Sequence, residues 1–177
     1  MSQVLLDNYV FLARYNRWFN ESVYQTCDAL TNEERQRDRG AFFASIHHTL
    51  THLVWADKLW LQRFAAQGQP FAALTSAVLI LPVGADCTSD LHPDWADLCQ
   101  TRATLDVAIE NWLGELPPQF VLAPMRYSNT KGVLREHPAW QALSHFFNHQ
   151  THHRGQVTTL LAQAGVEVGV TDLIALV

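Results

Sequence analysis

The stretch that decides the fold is LSHFFNHQTHHRGQVTTLLAQAG, residues 143–165. Its apolar residues return every three or four positions, which predicts an amphipathic helix. Pro138 suits the first turn of this helix, and Gly165 suits its carboxyl-terminal cap. The segment therefore predicts a long helix with one face in the core of a helical domain.

Three further segments show the same helical period, and they cover about residues 3 to 29, 45 to 67 and 91 to 116. A capping box at Thr31 to Glu34 predicts a short helical turn after the first of them. Around the SNTKG stretch, residues 128–132, apolar and polar residues nearly alternate, which predicts a small β-hairpin between the third and fourth long helices. Residues 68–90, rich in Gly and Pro, are interpreted as a long crossover. These elements predict an all-α four-helix bundle.

Length and composition restrict the class of protein. With 177 residues, 48% of them hydrophobic and 16% charged, the chain is predicted to fold as one domain over residues 1–177. A net charge of -5 with 12 Lys and Arg argues against a nucleic-acid partner. The sequence has no run long and apolar enough for a membrane span, and its first residues lack the features of a signal peptide. We therefore expect no membrane partner and a cytoplasmic location.

Three widely spaced cysteines are predicted to be buried free thiols.

The histidines are concentrated in two of the predicted helices. Eight of the nine fall into two segments, which hold His47, His48 and His52 on one side and His137, His145, His149, His152 and His153 on the other. Two histidines four residues apart share one face of a helix, so such a pair can bind a single transition metal. Three pairs have this spacing, namely His48 with His52, His145 with His149, and His149 with His153.

Helical phase favours some of these histidines as lining an interior cleft. His149 and His153 flank the apolar stripe of their helix, and His52 has a similar position beside Ala56 and Leu59. Three imidazoles would leave a coordination position for water or substrate, which is typical of catalytic zinc. Spacing alone leaves the choice open, because His48 and His145 are in register too. His47, His92, His137 and His152 are interpreted as surface or capping histidines.

Polar residues interrupt the apolar stripes at Asn16, Asp57 and Arg154. Because an unpaired buried charge is costly, we predict an ion pair between Asp57 and Arg154, completed by Asn16 or Gln150. Two alternatives stay open. In the first, these groups are exposed at the bundle ends or in a wet cleft. In the second, Arg154 points into the cleft and binds a substrate carboxylate.

Two quoted motifs carry a family resemblance. ASIHHTLTHLVWADKLWLQRF, residues 44–64, together with residues 143–165 resembles the DinB-like (damage-inducible) family of metal-binding four-helix proteins. ARYNRWFN, residues 13–20, and GVTDL, residues 169–173, extend the likeness over most of the chain. The resemblance implies an up-up-down-down bundle with a long crossover, a homodimer, and a divalent metal held by His52, His149 and His153.

The resemblance also implies a function. Characterised relatives are thiol-dependent transferases or isomerases, so we expect a metal-dependent enzyme of transferase or hydrolase type that activates a water or small thiol and acts on a small molecule. Zinc or nickel is the expected metal, and a low-molecular-weight thiol is the expected co-substrate. Arg154 would support the metal helix or orient an anionic substrate. The alternative is a non-catalytic metal-binding stress-response or binding module, for which a fourth protein ligand such as His48 or His145 would be the sign.

Overall fold

The structure is a computed structural model that describes residues 1–177. Its helices are α1 (Ser2–Asp28), α2 (Asn32–Gln36), α3 (Ile46–Ala65), α4 (Ser76–Leu79), α5 (Trp95–Glu115) and α6 (Ala139–Gln163). Two short 3₁₀ helices cover Pro118–Leu122 and Leu173–Leu176, and two strands, β1 (Pro124–Ser128) and β2 (Leu134–Pro138), form a hairpin. The predicted all-α fold with a small hairpin is confirmed.

The four long helices pack as a bundle in which α1 and α3 each contact both α5 and α6. α3 is the most interior of them, since 14 of its 20 residues are buried. Its apolar side chains join one continuous core, where Phe64 packs on Trp112 with 4.8 Å between ring centroids. Removal of this apolar surface from water is the main term that stabilises the fold.

Local signals act where the sequence predicted them. The Thr31 hydroxyl accepts a hydrogen bond from the Glu34 amide and caps α2. Gly165 has a φ of 79° just after α6, a left-handed conformation that glycine adopts without strain. Residues 68–90 form the predicted crossover, which contains the one-turn helix α4.

The cysteines and the hydropathy of the helices were both the subject of predictions from the sequence. All three cysteines are free, yet only Cys27 is buried, while Cys99 is partly exposed and Cys87 is exposed. The prediction of buried thiols was wrong for Cys87, because the crossover loop carries it to the surface. None of the helices combines the length and apolarity needed to cross a membrane.

A charge cluster, defined as Asp57, Arg102, Asp106 and Arg154, lies in the core. Arg102 donates a 2.5 Å hydrogen bond to Asp57 and lies 2.9 Å from Asp106. Arg154 instead donates to Asn16 on α1, with its guanidinium 4.9 Å from the Phe19 ring centroid. The predicted Asp57–Arg154 ion pair was therefore wrong, because Arg102 of α5 reaches Asp57 while Arg154 faces α1.

Amide side chains complete the charge cluster. Gln150 donates to the second Asp57 oxygen at 2.9 Å, and Asn20 donates to Asp106 at 2.9 Å. Asp57 and Arg154 are each only 1% exposed, so the alternative of a wet cleft was also wrong. Two carboxylates and two guanidiniums balance in charge, which is the condition under which ionised groups are tolerated in a core.

Candidate metal centre

Three of the predicted histidines meet at one point between α3 and α6. His52 Nε2 lies 3.3 Å from His149 Nε2, and His153 Nε2 lies 3.1 Å from the same atom. One nitrogen from each of the three rings lies within 4.8 Å of the others. We call this set of His52, His149 and His153 the histidine cluster.

Hydrogen bonds at the opposite ring nitrogens orient two of the imidazoles. His52 Nδ1 lies 3.1 Å from the carbonyl oxygen of Cys87, and His153 Nδ1 lies 2.7 Å from Gln156 Oε1. Because both partners are acceptors, each Nδ1 carries the proton and each Nε2 presents a lone pair to the cluster. His149 Nε2 can donate to only one of these two lone pairs, so the cluster has fewer protons than nitrogens facing one another.

The chain immediately before α3 covers the cluster. Ala44 has a φ of 61°, in the left-handed region, and Ser45 caps α3 by accepting from the His48 amide. This turn places the Phe43 ring on His52, with 4.0 Å between centroids and 21° between planes. Phe43 also lies 5.6 Å from His153, so its ring shields two of the imidazoles from water.

Burial determines the protonation state of the cluster. Burial, together with a smaller contribution from the neighbouring His153, lowers the pKa of His52 from its ordinary 6.5 to about 4. Burial lowers the pKa of His149 to about 3, with His153 and His52 adding to the effect. The pKa of His153 is lowered for the same main reason. The imidazoles are therefore neutral near pH 7, the state in which they can bind a metal.

Comparisons with known proteins agree with this fold. The model of the DinB family matches residues 1–176. This chain belongs to the DinB family. Protein DinB of Bacillus subtilis (strain 168) is 25% identical over 170 residues, which cover 91% of this chain and 88% of that protein. The crystal structure of a DinB-like protein from Bacillus cereus ATCC 10987 has 20% identity and a TM-score of 0.60, covers 94% of both chains, and supports the fold.

The donors of this DinB-family chain fit a divalent metal. Zinc binds imidazole at about 2.0 to 2.1 Å, so two nitrogens of a tetrahedral site lie about 3.3 Å apart. The separations of 3.3 and 3.1 Å from His149 Nε2 match this value. The surplus of lone pairs in the cluster is repulsive and would be relieved by a cation. The cluster is therefore compatible with a divalent metal.

The other histidines of the chain are placed elsewhere. His48 Nδ1 contacts the Ser45 hydroxyl at 3.0 Å, and the His145 ring centroid lies 5.7 Å from that of His149, outside the cluster. His152 is exposed and His137 partly exposed, as predicted. His47 and His92 are 1% and 9% exposed, and Ser45 and Asp94 are the residues that cap α3 and α5, so their interpretation as surface or capping histidines was wrong. The His47 ring is hydrogen-bonded to the His92 carbonyl oxygen, and the His92 ring is hydrogen-bonded to the Asp97 carboxylate.

The Arg154 guanidinium does not contact the histidine cluster. It follows His153 directly but leaves α6 on another side, where it contacts α1. The structure thus places Arg154 on the side of α6 that packs against α1, rather than in a cleft.

A cavity of about 730 Å³ lies beside the cluster, and His149 forms part of its wall. Its lining includes the aromatic side chains of Trp55, Trp60 and Tyr127 together with Arg63 and Cys87. Arg63 was not predicted from the sequence, although a signal for it exists. His52, Ala56, Leu59 and Arg63 are spaced by four, three and four residues, which places them on one face of α3.

Proposed function

We propose that this protein is a divalent-metal-dependent enzyme acting on a small molecule, with His52, His149 and His153 as the metal ligands. The observation that carries the proposal is the convergence of three imidazole nitrogens within 4.8 Å of one another, beside a cavity whose wall includes His149. Neutral imidazoles that converge on one point, while their other ring nitrogens donate to oxygen acceptors, are typical of metal ligands.

The absence of a fourth protein ligand supports an enzyme over a binding module. The group of histidine, cysteine and carboxylate side chains that could hold a metal contains three histidines only. Structural zinc sites use four protein ligands, while catalytic sites keep a position for water or substrate. His149 faces the cavity, so that position is open to a small molecule.

The chain's own residues would perform three tasks. The Cys87 carbonyl and Gln156 hold the rings of His52 and His153 in the orientation that presents Nε2. Phe43 excludes water from one side of the cluster. Arg154 is a positioning residue that ties α6 to Asn16 of α1. A bound divalent metal, zinc or nickel, would lower the pKa of a water or low-molecular-weight thiol in the open position and make it a nucleophile at neutral pH.

Elemental analysis of the purified protein tests the ligand set. We expect about one metal per chain in the wild type and in His145→Ala, and little metal in His52→Ala, His149→Ala and His153→Ala. His145→Ala is the matched control because it removes an imidazole from the same cavity wall. Undiminished metal in the three cluster variants would refute the assignment.

Turnover assays test the enzyme. A panel of electrophiles offered with glutathione or another small thiol, and a panel of esters and amides offered with water, should yield metal-dependent product that His149→Ala fails to form. If the metal-loaded protein turns over no member of either panel, the metal-binding stress-response or binding module becomes the preferred function. The homodimer and the cytoplasmic location remain predictions, and sedimentation equilibrium tests the first of them.

A further inference from the structure

The cavity beside the histidine cluster has one cationic side chain without a counter-charge. The Arg63 guanidinium lies 4.6 Å from the Trp60 ring centroid and 4.8 Å from that of Tyr127. Its titratable neighbours are Tyr127 and His145, and no carboxylate is among the groups that shift its pKa. Burial lowers the pKa of Arg63, so part of its charge is already removed from water. A partly desolvated cation without a partner favours an anion that enters the same cavity.

The two aromatic rings hold this guanidinium in place. Trp60 and Tyr127 pack edge to face with 5.2 Å between centroids, and Arg63 contacts both rings. An arginine held against aromatic faces keeps its N–H edge free, and that edge matches the two oxygens of a carboxylate. The ordering of the side chain has therefore been completed before a ligand binds.

The path from Arg63 to the histidine cluster is lined by apolar and aromatic groups. Trp60 lies 4.9 Å from His145, and His145 lies 5.7 Å from His149. Along α3, eleven residues separate Arg63 from His52, which corresponds to about 16 Å of helix. A ligand that contacts both ends needs an apolar body between its anionic group and its reacting atom.

A second polar group in the cavity wall has no partner in the chain. Trp55 is 9% exposed, lines the cavity, and its Nε1 has no hydrogen-bond acceptor. This Nε1 atom is itself buried rather than exposed to the cavity, so it adds no hydrogen bond to a ligand there. The acidic residue of the lining, Asp86, already accepts bonds from Thr88 and Ser89 in its own loop. The negative charge of Asp86 disfavours a ligand that carries more than one negative charge.

We propose that the cavity binds a monocarboxylate with an apolar or aromatic body, whose carboxylate contacts Arg63 and whose reactive end faces His149. One cation among largely apolar walls matches a single negative charge better than a phosphate or a polyanion. The role considered for Arg154 thus belongs to Arg63, which is at the cavity wall while Arg154 is not. This inference rests on the proposed function for its substrate role, but the anion site itself requires no metal.

Calorimetric titration of two matched probes tests the proposal. 4-Phenylbutanoate has the charge and an apolar body, and 4-phenylbutanamide has the same shape without charge. Each is titrated into zinc-loaded and into chelator-treated wild type, Arg63→Gln, Arg63→Lys and Arg14→Gln. Arg14 is an exposed arginine on α1 and serves as the matched control. Circular dichroism melting of each variant shows that it is folded.

The expected result is a dissociation constant for the acid that rises about tenfold or more in Arg63→Gln, with Arg63→Lys intermediate and Arg14→Gln unchanged. The amide should bind more weakly than the acid and equally to all variants. The pattern should be the same with and without zinc.

Three outcomes would overturn the proposal: undiminished acid binding by Arg63→Gln, equal binding of acid and amide, or no binding of the acid to wild type. Acid binding that needs zinc and ignores Arg63 would mean that the carboxylate contacts the metal, which leaves the proposed function standing without this anion site. Arg63-dependent binding in a protein without turnover would leave the anion site standing without the proposed function.

Discussion

Two polar clusters that share helices α3 and α6 differ in how fully their charges and hydrogen bonds are paired. In the charge cluster, two carboxylates meet two guanidiniums and three amides, although Arg102 Nε and Arg154 Nε lack an acceptor. In the histidine cluster, three neutral nitrogens face one another without enough protons to pair them. The first cluster balances its charges within the chain, although Gln150 Oε1 also lacks a hydrogen-bond partner, while the second has surplus lone pairs that a cation would neutralise.

The two clusters depend on one another through α6. His149 and His153 belong to the histidine cluster. The residues that follow them, Gln150 and Arg154, face the charge cluster. A rotation of α6 would disturb both clusters together. We infer from this difference that the charge cluster fixes the position of α6, and that the geometry of the histidine cluster depends on this position.

The largest expected effect is on the charge cluster. Arg102→Met leaves Asp57 and Asp106 buried without their shared cation, and removal of one partner from a buried ion pair typically costs about 3 to 5 kcal/mol of unfolding free energy. Urea denaturation measures the loss. Arg126→Met is the control, because it breaks an exposed ion pair with Glu136 and should change little. A loss in Arg102→Met as small as that of the control would show that the buried network is not needed for stability.

The second effect separates metal binding from folding. Zinc at about one hundred times its dissociation constant should stabilise the wild type by about 2.7 kcal/mol, because it binds the folded state alone. His149→Ala should lose this stabilisation while its metal-free form remains folded. His145→Ala, with its mutation one turn away on the same helix, should keep it. A zinc-induced rise in melting temperature that persists in His149→Ala would contradict the assigned site.

A third, smaller effect concerns how the rings are held. Gln156 accepts the Nδ1 proton of His153 at 2.7 Å, and loss of such a partner lowers metal affinity about tenfold or more. Gln156→Ala should therefore bind zinc about tenfold more weakly in competition with a chelator, whereas Gln156→Glu should bind at least as well as wild type. Gln163→Ala, exposed near the end of α6, is the control. Equal affinities of Gln156→Ala and wild type would mean that packing alone orients His153.

The sequence was informative where residues on one helix decide the outcome. The period of apolar residues gave the long helices, and four-residue spacing placed His149 and His153 side by side. The family resemblance was needed to select His52 over His48. Single-helix patterns contain no information about which helices face one another. Arg102 lay on an apolar stripe of α5 and was not considered as the partner of Asp57.

Other features of the site depend on atoms or placements that residue type does not encode. The acceptor for His52 is the backbone carbonyl of Cys87, which any residue in that loop would supply. Arg63 shares a face with His52, but its isolation from carboxylates depends on the crossover and the hairpin that form the rest of the cavity. The exposure of Cys87 likewise follows from the path of the crossover.

The smallest effect is a pH dependence that belongs to the histidine cluster. Because burial lowers the pKa of His149 to about 3, below its ordinary 6.5, protons bind the unfolded state more readily than the folded one between these values. The stabilisation by neutral His149 is complete above the unfolded pKa and is lost as pH falls through 6.5 toward about 3. In metal-free protein, the unfolding free energy should drop by about 1 kcal/mol more in wild type than in His149→Leu between about pH 7.5 and about pH 5.5, after allowance for solvent screening. Taking the difference between the two proteins cancels the titration of the carboxylates that both share. Identical pH profiles would mean that His149 is protonated as easily in the fold as in the unfolded chain, and the histidine cluster would then resemble the charge cluster in needing nothing from outside.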